Sequence, residues 1–178
     1  MKTIETHNRE FVKSCGYEPF RASKFPKKKL AIVTCMDTRL VTLLPAALGV
    51  ENGDVIMIKT AGGLVSSPYS DSMRSIIVAV YELGVENIVI MAHTNCGVEG
   101  LKWSHLRHLM EEKGVTSDAI EKVKKEGVDI EFWLTGFEEI NSAVKESVEL
   151  VKNHPLLPKG LNVMGYIIDT DTGKLSQV

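Results

Sequence analysis

The sequence predicts an α/β fold: a small, mostly parallel sheet with helices on both faces. Short segments rich in branched apolar residues alternate with longer segments of helical apolar spacing, which is typical of a parallel sheet covered by helices. At 178 residues, 44% of them hydrophobic and 25% charged, the chain can bury one substantial core. We therefore expect residues 1–178 to form a single domain, with residues 1–16 as an N-terminal helical arm.

The strands are predicted from short branched apolar runs bounded by turn residues. The four main strands are expected at residues 30–34, 54–59, 87–92 and 162–169. The turn Asp171-Thr172-Gly173 then leads to a short final strand near Leu175.

The clearest predicted helix covers residues 70–83, where Ile76, Ile77, Val80 and Leu83 have the spacing of a buried face. Gly84 is placed to cap its C-terminus. Further helices are predicted at residues 5–15, 41–48, 101–112, 117–125 and 137–152. No repeat or linker divides the chain.

Charge and composition exclude several classes of partner. The net charge is -2, and charged residues are spread along the chain, so we expect no binding to nucleic acid or to a membrane surface. The N-terminal region has no signal-like apolar run, and no segment is long enough to span a bilayer. We therefore expect a cytoplasmic protein. Its three cysteines, an odd number, favour metal binding or simple burial over disulfides.

Two motifs follow predicted strands and could meet at one metal ion. Cys35-x-Asp37-x-Arg39 follows the first strand, and His93-x-x-Cys96 follows the third. Strand C-termini open into the ligand-binding crevice of a parallel α/β sheet. Two thiolates and an imidazole suit zinc and leave a fourth position for water, as in catalytic sites. Either motif alone is more often packing or chance, but the pair predicts a zinc site of Cys35, His93 and Cys96.

Asp37 and Arg39 extend this prediction to catalysis. Asp37 is close enough in sequence to Cys35 either to accept a hydrogen bond from metal-bound water or to become a fourth ligand. Arg39 can hold the carboxylate away from the metal through a bidentate pair. Both roles of Asp37 remain open at this point.

These motifs together resemble the signature of the β-class carbonic anhydrases, in particular short bacterial-type members. The resemblance extends to the residues that flank the second strand, at positions 53–54 and 61–62, and to residues 163–169 and 173–175 near the C-terminus. The sequence departs from the family pattern at Lys59 and Thr60, where arginine and asparagine are usual, and its only glutamine is Gln177. Details of the active site are therefore expected to differ from those of longer members.

The resemblance implies a function and an assembly. The function would be zinc-dependent, reversible hydration of carbon dioxide to bicarbonate, with one Zn²⁺ per chain. The protein would be a homodimer or a higher homo-oligomer whose N-terminal helix packs on the partner. Backbone groups around Gly62 and Gly63 could receive the developing oxyanion, although a tight turn explains these glycines equally well.

Alternative functions share the same residues. A hydrolase of carbonyl sulfide or carbon disulfide could use every predicted zinc ligand, and a non-catalytic zinc site would require Asp37 as a permanent fourth ligand. His105 and His108 are three residues apart on a predicted helix and could relay protons or bind a second metal, but a solvated helix face explains them better. Cys15 is most simply a packed free thiol.

Overall fold

The computed structural model describes residues 2–178, which include one five-stranded sheet. Its strands are β1 (Leu30–Cys35), β2 (Val55–Thr60), β3 (Asn87–His93), β4 (Asn162–Ile168) and β5 (Leu175–Gln177). They lie in the spatial order β2-β1-β3-β4-β5. Neighbours pair in parallel except β4 and β5, which are antiparallel. The predicted α/β class with a mostly parallel sheet is therefore confirmed.

Seven α-helices accompany the sheet within the described residues. They are α1 (Lys2–Lys13), α2 (Leu43–Leu48), α3 (Asp71–Leu83), α4 (Trp103–Glu112), α5 (Ser117–Lys125), α6 (Ile130–Leu134) and α7 (Ile140–Lys152). All predicted helices are present, with ends shifted by up to three residues. Met1, which belongs to the predicted arm, lies outside the described residues.

Both faces of the central strands β1 and β3 are buried. On β1, Ala31 and Val33 belong to one apolar cluster and Ile32 belongs to another, because alternate side chains of a strand point to opposite faces. The larger cluster packs the sheet against α3 and α7, through residues such as Ile76 and Val144. The smaller cluster contains Leu40 and Leu44 of the region around α2 and extends to the C-terminal ends of β1 and β4.

The start of α7 differs from its prediction for a local reason. The sequence pattern placed the start at Phe137, but this residue pairs with Glu99 in an isolated parallel bridge and its carbonyl accepts a hydrogen bond from Gly100 N. The helix begins only after Glu139, whose carboxylate accepts from the backbone N–H groups of Asn141 and Ser142. Hydrogen bonds from Asn141 and Ser142 lower the pKa of Glu139 to about 2.

The short helix α6 was not predicted. Its five residues are too few for an apolar repeat to be recognised, and its N-cap, Asp129, accepts a hydrogen bond from Phe132 N. With α4 and α5 it encloses a small separate core around Trp103, Ile120 and Ile130. This helical unit follows Cys96 in the chain.

The first helix lies on the outside of the described structure. From Thr3 to Lys13, every α1 residue is exposed except Phe11, which is half-buried. Ile4 and Val12 are 69% and 53% exposed, so this helix presents aliphatic side chains on its outer surface. Among the described residues, no helix combines the length and the apolar character needed to cross a bilayer.

A glycine in the turn after β2 allows this turn to pack closely against β1 and β3 at the predicted site. Gly63 has a φ of +72°, and a Cβ atom there would lie 2.7 Å from Cys35 N and 3.0 Å from Met91 O. These two atoms belong to the backbones of β1 and β3. A side chain at position 63 would therefore displace the strands that carry Cys35 and His93.

We expect Gly63→Ala to lower the free energy of unfolding far more than Gly49→Ala does. Gly49 also has a positive φ, +59°, but a Cβ atom there meets nothing within 4 Å, so its variant reports backbone strain alone, about 1–2 kcal/mol. Gly63→Ala adds overpacking against backbone atoms, which we expect to cost about 1–3 kcal/mol more. Urea denaturation of the two variants measures both costs. Equal losses would show that close packing at Gly63 is unimportant.

Candidate metal centre

The sheet delivers the three predicted zinc ligands to one edge. Cys35 is the last residue of β1, His93 is the last residue of β3, and Cys96 follows three residues later. Both strands extend one residue beyond their predicted ends, so two of the ligands lie on rigid strand backbone. Because β1 and β3 are adjacent and parallel, their C-terminal ends meet at the crevice where ligands bind in such sheets.

The side chains of these residues form one compact, buried cluster. The Sγ atoms of Cys35 and Cys96 and a ring nitrogen of His93 all lie within 4.8 Å of one another. All three residues are buried. The spacing of the three side chains is therefore compatible with a single shared metal ion.

The hydrogen bonding of His93 leaves one ring nitrogen free for a metal. Its Nδ1 lies 2.8 Å from Thr94 O. Since a carbonyl oxygen can only accept, Nδ1 must carry a proton, and in the neutral ring Nε2 then presents a lone pair. Nε2 is buried and has no hydrogen-bond partner, an arrangement that is costly unless something else occupies the lone pair. Metal-binding histidines are commonly oriented by such a bond from the other ring nitrogen.

The surroundings of the two thiols also favour a bound cation. Burial raises the pKa of Cys96, and the nearby Cys35 raises it further, whereas hydrogen bonds from the backbone N–H groups of Val98 and Glu99 oppose this shift. Ionising both thiols at this buried position would therefore need a positive charge beside them. A set of two sulfurs and one imidazole nitrogen matches the ligand preferences of zinc, so these residues are chemically suited to hold it.

The loop between the histidine and the second cysteine has a strained residue at its centre. Asn95 has a φ of +54°, a left-handed conformation that asparagine adopts more readily than most residues. This turn redirects the chain after β3 and brings Cys96 back beside His93. The spacing His93-x-x-Cys96 thus reflects a single tight turn.

Asp37 and Arg39 form the predicted pair beside the cluster. Arg39 Nε donates to Asp37 Oδ1 at 3.0 Å and Arg39 Nη2 donates to Oδ2 at 2.8 Å. Asp37 Oδ1 also accepts from Arg39 N at 2.8 Å, which caps a short 3₁₀ turn at Thr38–Leu40. The hydrogen bonds from the Arg39 side chain hold the pKa of Asp37 well below its ordinary value, so the carboxylate is ionised.

The carboxylate of Asp37 faces the cluster without being part of it. Its Oδ2 lies 3.8 Å from His93 Nε2, yet the compact group of ligand atoms consists of Cys35, His93 and Cys96. Both oxygens of Asp37 are engaged by Arg39. The structure thus places Asp37 next to the ligands, with both of its carboxylate oxygens bound by Arg39.

The two predicted substrate-binding glycines lie in the turn after β2, and both are buried. Gly62 has a φ of +84°, and a Cβ atom there would lie 3.2 Å from Phe137 and 3.4 Å from Val98. Gly63 packs against the backbone of β1 and β3, as described above. The geometry of Gly63 fits the alternative interpretation of these glycines, a tight turn.

The remaining candidates lie away from the ligand cluster. His105 and His108 are exposed residues of α4, and His108 pairs with Glu112 on the same helix. Cys15 is an exposed free thiol, so the expectation that it is packed is wrong. The interpretation of both histidines as part of a solvated helix face fits these positions.

Sequence reasoning missed two groups that contact the site. Lys59 Nζ donates to Cys35 O at 3.3 Å, although Lys59 had been noted only as a departure from the family pattern. Thr170 Oγ1 accepts from Arg39 Nη1, also at 3.3 Å. Thr170 lies 131 residues beyond Arg39 in the chain, and no motif in the sequence connects the two.

Comparison with known proteins agrees with this geometry. A family model described as carbonic anhydrase matches residues 30–175. The chain is 47% identical over its full length to a Bacillus subtilis protein described as the putative carbonic anhydrase YvdA, and covers 90% of it. It is 30% identical to a carbon disulfide hydrolase from Acidithiobacillus thiooxidans, with coverage of 83% of this chain and 76% of the relative.

A solved structure shows the same relationship in three dimensions. The β-carbonic anhydrase isoform I of Trichomonas vaginalis matches with a TM-score of 0.89 and 36% sequence identity, over 99% of this chain and 95% of the other. The match therefore includes the sheet, the ligand-bearing strand ends and the surrounding helices. Together with the family model, it shows that this chain belongs to the β-carbonic anhydrase family.

Proposed function

We propose that this protein is a zinc-dependent carbonic anhydrase that reversibly hydrates carbon dioxide to bicarbonate and a proton. The observation that carries the proposal is the buried cluster of Cys35, His93 and Cys96, together with the buried Nε2 of His93, which has no hydrogen-bond partner. One zinc ion per chain would be held by these three residues, and three protein ligands leave a fourth coordination position for the reaction.

Each group of the site has a distinct task in this proposal. A zinc ion held by these residues would supply Lewis acidity, the property by which catalytic zinc sites acidify water. Thr94 O fixes the tautomer of His93, and the ionised Asp37 offers a hydrogen-bond acceptor beside the ligands. Gly62 and Gly63 are proposed as backbone neighbours of the substrate, supported only by the position of their turn against β1.

Asp37 is proposed to act as a hydrogen-bond acceptor that Arg39 keeps away from the metal. The supporting observation is that Arg39 engages both carboxylate oxygens. Such a bidentate pair is directional and strong, and Asp37 would have to break it to bind the metal as a fourth ligand. The arginine would thereby keep the reactive coordination position open.

Hydrolysis of carbon disulfide or carbonyl sulfide is the competing activity. The relative from Acidithiobacillus thiooxidans is named a carbon disulfide hydrolase, and the same three ligands would serve either reaction. The higher identity and coverage of the relative described as a putative carbonic anhydrase favour carbon dioxide. A non-catalytic role would require Asp37 as a permanent ligand, and its pairing with Arg39 argues against this.

Purified protein is expected to contain about one zinc per chain, bound by the cluster. Cys35→Ser, His93→Ala and Cys96→Ser should each lose most of the metal and unfold at lower temperature, because a metal that binds only the folded state stabilises it. Cys15→Ser is the matched control, since Cys15 is an exposed thiol, and it should keep its zinc. Elemental analysis and thermal melts measure both effects. Full zinc occupancy in the three cluster variants would refute the ligand assignment.

Zinc-loaded protein should hydrate carbon dioxide faster than it hydrolyses carbon disulfide or carbonyl sulfide in stopped-flow assays. Asp37→Asn and Arg39→Ala should retain zinc but lose about 100-fold or more in rate, the scale of a lost proton-handling group. Arg107→Ala is the control, because it breaks an exposed ion pair with Glu111 on α4 and should leave the rate unchanged. Faster turnover of either sulfur substrate would transfer the proposal to that activity.

We also propose that the protein is at least a homodimer. Ile4 and Val12 on α1 are largely exposed, and an ordered helix with exposed aliphatic residues gains stability when a second surface covers it. A second copy of the chain is the proposed partner.

Light scattering at micromolar concentration should give at least twice the mass of one chain. Ile4→Glu together with Val12→Glu should shift the protein toward monomer, because both charges would have to be buried at the interface. Glu5→Gln, on the same helix and exposed, serves as the control and should leave the mass unchanged. A strictly monomeric and fully active wild-type protein would contradict the proposal.

We propose a cytoplasmic location as well. The three cysteines are all free thiols, which is usual in a reducing compartment, and two of them would need to stay reduced to bind zinc.

A further inference from the structure

The outer side of the Arg39 guanidinium is anchored by two loops. Arg39 Nη1 donates to Thr170 Oγ1 at 3.3 Å, and Nη2 donates to Asn95 O at 2.9 Å. Asn95 belongs to the loop that follows β3, and Thr170 belongs to the loop that follows β4. The inner side of the same guanidinium binds Asp37.

These anchors supply a constraint that Asp37 and Arg39 cannot supply themselves. The two residues belong to one short turn, so their mutual hydrogen bonds fix their geometry relative to each other only. The placement of the pair relative to His93 depends on contacts with the loops after β3 and β4. The side chain of Arg39 is 42% exposed and would otherwise be free to move with its partner.

The hydroxyl of Thr170 connects Arg39 to the backbone that orients His93. Thr170 is buried, and its hydroxyl accepts from Arg39, so its own proton is directed toward Thr94. The Oγ1 atom of Thr170 lies 3.5 Å from Thr94 O and 3.3 Å from Thr94 Oγ1. Thr94 O is also the acceptor for His93 Nδ1. One hydroxyl therefore lies between the arginine that holds Asp37 and the carbonyl that fixes the ligand's tautomer.

We propose that Thr170 is a positioning residue that holds Arg39, and through it Asp37, in the correct place beside the metal centre. This inference rests on the proposed function, because it assigns a role in the same reaction. Thr170 touches neither the metal ligands' side chains nor the substrate directly in this scheme. Its effect passes through the hydrogen bond that it accepts from Arg39.

A purely structural role for Thr170 is the alternative, and a valine substitution separates the two. Thr170 N donates to Thr94 Oγ1 at 3.1 Å, which ties the two loops together. Thr170→Val keeps this backbone bond and nearly the same shape but removes the acceptor for Arg39. It also removes the contacts of the hydroxyl with Thr94, so the state of Arg39 is measured directly. Thr170→Ser keeps the hydroxyl and should restore the function.

Thr172→Val is a matched control for disturbance of the loop. Thr172 lies in the same loop and donates its hydroxyl to Asp169 at 2.7 Å, and its recorded bonds are to groups of that loop. Its loss should destabilise the turn while Arg39 keeps all its partners.

The experiment compares zinc-loaded wild type with the three variants. We expect Thr170→Val to retain zinc and to lose about tenfold in kcat with little change in KM, the scale of one lost hydrogen bond to a charged group. The ¹⁵N–¹H signal of Arg39 Nε, assigned by its absence in Arg39→Lys, should exchange with solvent faster in Thr170→Val. Thr170→Ser and Thr172→Val should resemble the wild type in both measurements.

The Arg39 signal separates failure of this inference from failure of the proposed function. If the wild type hydrates no carbon dioxide, the proposed function is wrong, while the Nε exchange rate still reports whether Thr170 holds Arg39. Unchanged Nε exchange in Thr170→Val overturns the inference, whatever happens to the rate. Equal loss of kcat in Thr170→Val and Thr172→Val would also overturn it, because the effect would then come from the loop as a whole.

Discussion

The parallel register of β1 against β3 is the constraint on which the metal centre depends. Thr34 lies opposite Met91, so Cys35 ends β1 close to the level at which β3 reaches His93. A slip of one residue would turn the side chains of a strand to the opposite face. Alternate residues of β1 belong to apolar clusters on the two faces, and both clusters would be disrupted by such a slip. The apolar core therefore determines where two of the three ligands lie.

Most of the fold could be predicted because its central strands, β1 and β3, are buried on both faces. Such strands are continuous apolar runs, and the main predicted strands agree with the observed ones to within one residue at each end. Helix α3 was equally clear, since Ser70 accepts from Met73 N at its start and Gly84 adopts a positive φ at its end. The misses were local: α6 is too short to show a period, and the backbone of Phe137 pairs with another loop. Tertiary pairing of that kind produces no pattern that can be recognised in a single sequence.

The site was predictable to the extent that its residues are neighbours in the chain. Candidate ligands could be assigned from short spacings in the sequence. Cys35, Asp37 and Arg39 lie within one turn, and His93 and Cys96 lie within another. Contacts between distant segments had no such signal. Thr170 and Lys59 reach the site only because β4 and β2 end at the same edge of the sheet as β1 and β3. A hydrogen bond between a threonine and a distant arginine follows from topology, and spacing cannot reveal it.

The arrangement of the site follows from this topology in two steps. The ligands Cys35 and His93 end rigid strands, so the sheet determines the position of the metal. Asp37 lies instead on a short turn beyond β1, where the sheet alone does not hold it, and its position depends on Arg39. Arg39 in turn contacts the loops after β3 and β4, the next two strands in the sheet. The strand order β1-β3-β4 therefore brings together the group that must be held and the loops that hold it, although they are far apart in the sequence.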